Sequence, residues 1–243
     1  MLTQIMDYLD LSQLAQYLHL TPAQIKKMVD RGDLPAQKVG GSLRFSEAEV
    51  HHWLEEKIGL GDSDELDRVR RVLDAKEPPR THAPRSLSQL CPIELVANPL
   101  GARTRSSVIR SMCDLAATTG MLWDAKAMCD AVTNREQLHP TALDCGIALM
   151  HPRRPQTSLL ADSVVALGVC PCPIPFSDSG QLTDVFFLLC SYDDSDHLRI
   201  LAKLSRMISD SEWLDGLRTA ESPGETWAIL DEAERELDGR TPS

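Results

Sequence analysis

Between Leu11 and Asp30 the apolar residues fall on helical faces: Leu14, Ala15 and Leu18 on the first, Ile25, Met28 and Val29 on the second. Thr21 and Pro22 stand between them, a good N-cap followed by a good first-turn residue, so the pattern predicts two helices joined by a tight turn. After Gly32 the run DLPAQKVGGSLRF gives two short extended pieces around Gly40-Gly41, the signal of a hairpin. Ser46 with Glu49 three residues on makes a capping-box signature for a third helix, with Val50, Trp53 and Leu54 inward. Residues 62–75 predict a further helix capped by Asp62, Ser63 or Asp64, its apolar stripe made by Leu66, Val69, Val72 and Leu73. KEPPRTHAPRS, residues 76–86, holds three prolines among polar residues and reads as a linker.

From Leu87 the pattern changes to helices alternating with short apolar runs. Arg105–Thr119 predicts a helix with Val108, Ile109, Met112, Leu115 and Ala116 on one face, ended by Gly120. Asp124 opens another, carrying Ala127, Met128 and Val132. Cys145–Met150 is a short strand that delivers His151 to its end, and Val164–Val169 and Val185–Leu189 are further buried strands. Asp196–Ile208 predicts a helix with Leu198, Leu201, Leu204 and Ile208 inward, ending near WLDGL. Alternation of this kind is the mark of an α/β domain. The expected division is a helix-turn-helix unit at 1–60, a helix and linker at 61–86, the α/β domain at 87–237 and a fraying tail at 238–243.

A chain of 243 residues is long enough for two cores. The net charge of −11 argues against wrapping nucleic acid with the whole surface and leaves room only for one local basic face. The N-terminus carries acids and no basic region of the secretory kind, and no stretch approaches the roughly 20 apolar residues that span a bilayer. The seven scattered cysteines suit a reducing compartment, so a soluble cytoplasmic protein is expected. Cys170-Pro171-Cys172 lacks metal spacing and a second pair, and reads as loop; His51-His52 reads as solvated surface. Asp193, Asp194 and Asp196 read as an acidic helix start rather than a calcium loop.

The run from Leu11 to Leu54 closely resembles the excisionase-type, MerR-related helix-turn-helix family: two helices, the Gly32–Pro35 step, the glycine hairpin, then the Arg44-Phe45-Ser46 entry to a closing helix. The resemblance implies that the Pro22–Asp30 helix enters the major groove and that the Lys38–Arg44 wing approaches the backbone or minor groove. Candidate DNA contacts are Gln24, Lys26, Lys27, Arg31, Lys38 and Arg44. So few cations on an acidic chain predict weak binding by one copy, which a homodimer on adjacent half-sites would remedy. The plainer alternative is a three-helix core used for protein contact.

Over Leu87–Leu237 the chain resembles the fructose/mannitol-type enzyme IIA domain of the bacterial phosphotransferase system and its nitrogen-regulatory relatives. NREQLHPTALDCGIALMHPRR carries the likeness through Arg135, Glu136, Thr141, Gly146 and His151, and LTDVFFLLCSYDDSDHLRILAKLSRMISD through His197. The resemblance implies an α/β (α+β) C-terminal domain with a mixed sheet flanked by helices, set behind the small winged helix-turn-helix. It implies that His151 accepts a phosphoryl group, without a bound cofactor or metal, from a histidine-containing phosphocarrier protein charged by phosphoenolpyruvate. Arg135 would supply positive charge, His197 a hydrogen bond, and Thr141 a hydroxyl contact or a hold on the His151 ring. Met150 stands where the family has proline, and Pro152, Arg153 and Arg154 follow the histidine. Lacking proline's fixed φ, Met150 leads us to expect a looser His151. The expected function is a DNA-binding regulator switched at His151. The alternatives are a phosphocarrier that serves a IIB partner and a non-catalytic module that binds a protein or small anion.

Overall fold

The computed structural model describes residues 8–17, 21–46, 49–50, 53, 85–138, 140–176, 180 and 182–239. The sequence-predicted helix 62–75, all but the last two residues of the 76–86 linker, Leu54, the histidines at 51, 52 and 82, and the last four residues of the tail lie outside them. The chain divides into two compact units, residues 1–81 and 82–243.

The N-terminal unit opens with β1 (Tyr8–Asp10), a three-residue strand too short for a periodicity to reveal. Then come α1 (Leu11–Tyr17), α2 (Pro22–Arg31), β2 (Gln37–Val39) and β3 (Ser42–Ser46). Thr21 caps α2 in a full capping box: its hydroxyl accepts from the Gln24 N–H, and the Gln24 side chain accepts from the Thr21 N–H at 2.8 Å. Gly32 ends α2 at φ 78°, its N–H turned back on the Met28 and Val29 carbonyls. Gly40 and Gly41 both take positive φ, 61° and 81°, which is what a two-residue primed hairpin turn needs and only glycine adopts cheaply. The three strands form an antiparallel sheet in the order β1-β3-β2. Leu14, Ile25, Leu34, Phe45 and Val50 are buried as a small core, and Glu49, Val50 and Trp53 are helical. Ser46 closes β3, the extended backbone that a helix N-cap also takes.

In the C-terminal unit the chain runs through α3 (Leu87–Leu90), a 3₁₀ turn at Ile93–Leu95, β4 (Val96–Ala97), α4 (Arg105–Ala117) and α5 (Ala125–Leu138). It continues through β5 (Ile147–Met150), β6 (Val164–Pro175), β7 (Leu182–Cys190), α6 (Asp194–Ile208), α7 (Ser211–Thr219) and α8 (Pro223–Gly239). The sheet order is β4-β6-β7-β5, parallel at both edges and antiparallel between β6 and β7. It is a mixed sheet flanked by helices, the α/β architecture expected. Strands β5 and β7 are buried nearly end to end, the continuous apolar run of strands covered on both faces. The Cys-Pro-Cys-Pro segment is no loop: it continues β6, with the register slipping between Val169 and Ile174, so that the prolines cost few ladder bonds. The Cys170 thiol is buried and bonds the Leu100 carbonyl at 3.6 Å; burial raises it to about 11.

The expected helix around WLDGL is two helices. Asp210 accepts from the Glu212 and Trp213 N–H groups and starts α7 afresh. The last, α8, buries Thr226, Leu230 and Glu234 along one face. Glu234 reaches across to the start of the unit, accepting from the Leu87 N–H and, at 2.7 Å, the Ser88 N–H, and pairs with Lys203 of α6. Among the described residues no helix is long and apolar enough to cross a membrane.

Candidate functional site

Strands β5 and β7 lie side by side and parallel, Met150 opposite Leu188. Their C-terminal ends therefore open on the same edge of the sheet, the place where α/β folds gather chemistry. His151 is the first residue past β5. Past β7 come Ser191, then Asp193, whose carboxylate accepts from the Asp196 N–H at 2.8 Å and caps α6. That cap puts His197 in the first turn of α6. The two imidazoles face each other with centroids 4.7 Å apart and planes tilted by 55°. Residues 46 apart in sequence thus form one pair, and both are buried, at 1% and 6% exposure.

The ring of His151 is held by its own turn. Nδ1 lies 3.0 Å from the Pro152 carbonyl oxygen, which can only accept, so Nδ1 carries a hydrogen; in the neutral ring that leaves the lone pair on Nε2. Met150, just before it, is a fully buried member of β5 paired with Leu188 of β7. His197 Nδ1 meets the Ser191 hydroxyl at 3.2 Å. Beside this pair, Ser163 accepts the Tyr192 N–H and donates to Asp196, both at 2.8 Å, which stiffens the loop between β7 and α6.

Thr141 meets Glu136, the residue next to Arg135. Arg135 and Glu136 are neighbours in the last turn of α5, 5% and 1% exposed. The Thr141 hydroxyl donates to Glu136 Oε1 and its N–H to Oε2 at 3.1 Å. Arg105, the first residue of α4, donates to the Glu136 main-chain carbonyl and reaches Oε2 at 3.3 Å. The Arg105 guanidinium also lies over the Phe176 ring, 5.4 Å from its centroid. Burial pushes the Glu136 carboxyl above the usual carboxylate range, against the donors from Thr141 and the charges of Arg105 and Arg135. Of Thr141, expected to offer a hydroxyl contact or a hold on the His151 ring, the structure shows the hydroxyl engaged with Glu136. Its main-chain carbonyl accepts from Leu149 N at 3.3 Å, and Ala142 bridges Ala148, so residues 141–142 lie along the strand that ends at His151.

Glu136, Arg105 and Ser191 were absent from the sequence-derived site. Glu136 was visible only as one letter of a motif, and nothing local in the sequence ties Arg105 to it. Arg153, two residues beyond His151, has a buried Nε with no hydrogen-bond partner. Among the described residues no group of three or more His, Cys, Asp or Glu is placed to hold a metal.

In the N-terminal unit, Lys26, Lys27 and Arg31 on α2 and Lys38 on β2 are exposed, while Arg44 is half-buried on the central strand, between Asp10 and Gln37 in register. The Gln24 carbonyl oxygen is turned onto the Thr21 N–H and hydroxyl, so Gln24 serves the helix cap before any outside contact.

Residues 89–233 match the family described as phosphoenolpyruvate-dependent sugar phosphotransferase system, EIIA 2, and residues 8–58 match a helix-turn-helix domain family. A nitrogen regulatory protein of Bradyrhizobium diazoefficiens is 26% identical over 148 residues, 59% of this chain and 94% of that protein. A fructose-specific EIIA component of Haloferax volcanii is 28% identical over 149 residues, 60% and 95%. The crystal structure of nitrogen regulatory protein IIA-Ntr from Neisseria meningitidis superposes with a TM-score of 0.54 at 20% identity, covering 59% of this chain and 98% of that one. That of IIA mannitol from Escherichia coli gives 0.51 at 19%, covering 56% and 96%. These last two establish likeness of fold.

Proposed function

Because the chain belongs to the phosphoenolpyruvate-dependent sugar phosphotransferase system EIIA 2 family and carries a helix-turn-helix domain ahead of it, we propose that it is a DNA-binding regulator whose switch is phosphorylation of His151. The observation that carries the reading is the buried imidazole pair with the His151 tautomer set by Pro152. The donor is the phosphohistidine of a histidine-containing phosphocarrier protein. Its P–N bond breaks as the lone pair of His151 Nε2 forms a new one, and the phosphocarrier's imidazole leaves with the electron pair. The ring of His151 becomes cationic as the bond forms, and the Nδ1–H···O=C contact to Pro152 stabilises that charge without moving a proton. Such loose in-line transfers need positioning and positive charge more than covalent help. His197 meets the phosphoryl oxygens from the opposing side, Arg135 adds charge from α5, and the unsatisfied Nε of Arg153 is a further donor for an anion held there.

The helix-turn-helix offers Lys26, Lys27, Arg31 and Lys38 to phosphate, with Arg44 nearer the sheet; two copies on adjacent half-sites supply the affinity one lacks. No bound cofactor takes part, the transferred group being the phosphoryl itself. Phosphorylation adds about −1.5 to −2 charge at a buried site and gives the regulator its signal.

The test is intact-mass measurement after incubation with phosphoenolpyruvate, enzyme I and the phosphocarrier protein. An acid-labile phosphoryl group on the wild type and none on His151→Ala is expected. No phosphate on a folded wild type, with the relay active on a control substrate, overturns the reading in favour of a binding module. DNA affinity then tests the switch: equal affinity for wild type, His151→Ala and His151→Glu overturns the coupling.

A further inference from the structure

The Glu136 carboxylate stands next to the candidate Arg135 on the last turn of α5 and binds the candidate Thr141; it is buried, with donors on both oxygens. Thr141 lies on the segment 141–143 that pairs antiparallel along β5: Leu149 N donates to the Thr141 carbonyl at 3.3 Å, Ala142 bridges Ala148, and Leu143 N donates to the Ile147 carbonyl at 2.7 Å. The strand it rides on ends at Met150, one residue before the histidine. Arg105 belongs to the start of α4, and it clasps both the carboxylate and the main chain of Glu136, which fixes the turn on which Arg135 stands. One side chain therefore determines two coordinates: where the end of α5 sits, and how that end is tied to the strand of His151.

We propose that Glu136 is the positioning residue of this site, setting the place of Arg135 relative to His151 by holding the last turn of α5 to the segment that lies on β5. The proposal rests on the reading of His151 as phosphoryl acceptor and goes beyond it, since Glu136 touches neither the ring nor the group transferred. The hydrogen-bond inventory says what a substitution does. Oε2 faces two obligate donors, the Thr141 N–H and the Arg105 guanidinium, whereas Oε1 faces only the Thr141 hydroxyl, which can turn and accept instead. A glutamine fits with its oxygen in the Oε2 place and its NH₂ toward the Thr141 hydroxyl. It keeps the tie and loses only the charge. Alanine leaves buried donors of Thr141 and Arg105 without an acceptor and lets the two segments part.

The experiment is the kinetics of phosphoryl transfer from the phosphocarrier to the full-length chain, with Glu136→Gln, Glu136→Ala and Thr141→Val compared with wild type, each checked for folding by circular dichroism and thermal midpoint. Displacement of a cation by about 1 Å is the size of error that costs on the order of 100-fold in rate. Glu136→Ala is therefore expected to lower kcat about 10–100-fold with the KM for the phosphocarrier unchanged, and Glu136→Gln to restore it to within about threefold of wild type. Thr141→Val keeps the main-chain bond and the volume and removes the hydroxyl alone, so it stays folded and is expected to fall between them. A folded Thr141→Val or Glu136→Ala variant with wild-type kcat, or a loss that appears only in KM, overturns the proposal and leaves His151 as acceptor. A wild type that takes up no phosphoryl group under an active relay overturns both together. Glutamine failing to restore kcat in a folded variant overturns the claim that the tie, rather than the charge, is what Glu136 provides.

Discussion

The two units place their charged candidates in opposite surroundings. Lys26, Lys27, Arg31 and Lys38 of the N-terminal unit stand in water, while Arg135, Glu136, His151 and His197 of the C-terminal unit are all buried. A surface meant for a polyanion needs cations that shed counterions and slide past phosphates, so exposure is the requirement. On the proposed reading, the second site would pass a phosphoryl group between nitrogens, for which dipoles fixed beforehand and little water are an advantage that burial supplies. The units also differ in how they are held. The N-terminal one relies on local devices, a capping box at Thr21 and a glycine turn at Gly40-Gly41, whereas the C-terminal one relies on side chains that bridge remote segments, Glu136 to Arg105 and Glu234 to Leu87.

Glycines of like backbone sign give the largest contrast. Gly146 has φ +87°, and a Cβ there would stand 2.8 Å from Arg218 Nη2, 3.3 Å from Asp184 Oδ1 and 3.4 Å from the Leu182 carbonyl oxygen. Arg218 cannot move aside cheaply, because it is paired with Asp184 and donates to the Cys145 carbonyl. Gly41 has φ +81° and nothing within 4 Å of the same position. Gly146→Ala is expected to lower the stability of the C-terminal unit by about 3 kcal/mol, strain and displacement together. That corresponds to a thermal midpoint roughly 6–12 °C lower. Gly41→Ala carries only the dihedral cost, about 1 kcal/mol in its own unit. Equal losses measured by thermal melting of the two variants would break the distinction between local and long-range construction.

Glu234 sharpens it from the electrostatic side. Burial alone would raise its carboxyl, yet the Lys203 ammonium and the Ser88 and Leu87 N–H groups outweigh that and hold it below the usual carboxylate range. A folded value below the unfolded one means that the native state binds fewer protons, so this stabilisation is present above about pH 4.3 and is lost as the pH falls through the folded value. Glu136, raised by burial, has the opposite sign: it favours the native state at low pH, and that contribution is lost as the pH rises through its folded value. Glu234→Gln is expected to cost about 1.5–3 kcal/mol at pH 7, the worth of hydrogen bonds to a charged group. In denaturant titrations at several pH values, the gap from wild type should close below pH 4. A gap of constant size would show that the carboxylate's charge contributes nothing.

The same division explains what could be read from the chain. Helices α4, α5 and α6 and strands β5 and β7 were legible because their apolar residues keep a period or a continuous run. Helix α8 was not: the face it buries is Thr226, Leu230 and Glu234, so its i, i+4, i+8 stripe is two-thirds polar and invisible to a hydrophobic period. The continuation of β6 through Cys170, Pro171 and Cys172 was not legible as strand, because prolines in a strand are tolerated only at an irregularity and the register slip is a tertiary fact. The pair of His151 and His197 was named from a resemblance, and the parallel register of β5 and β7 is what brings the two rings together. Glu136 was in plain sight beside Arg135, yet its meaning depends on Arg105, thirty-one residues away, and on which strand Thr141 lies against.

The smallest effect belongs to the exposed side of the comparison. If Lys27 neutralises one phosphate, Lys27→Ala removes one counterion's release on binding, so the slope of log affinity against log salt becomes shallower by about 0.9. The loss of affinity should be nearly uniform across DNA sequences, because a phosphate contact positions without specifying. Its stability cost should be negligible, since Lys27 lies on the exposed face of α2 and the buried face is made by Ile25 and Met28. A Gln24→Ala variant gives the complementary result. The capping box loses its reciprocal bond to the Thr21 N–H, so about 0.5–1 kcal/mol of stability goes while the salt slope stays where it was. Should Lys27→Ala leave the slope unchanged in fluorescence-anisotropy titrations, the exposed cations of α2 are not a phosphate-binding face, and exposure in this unit would have to be explained by contact with protein instead.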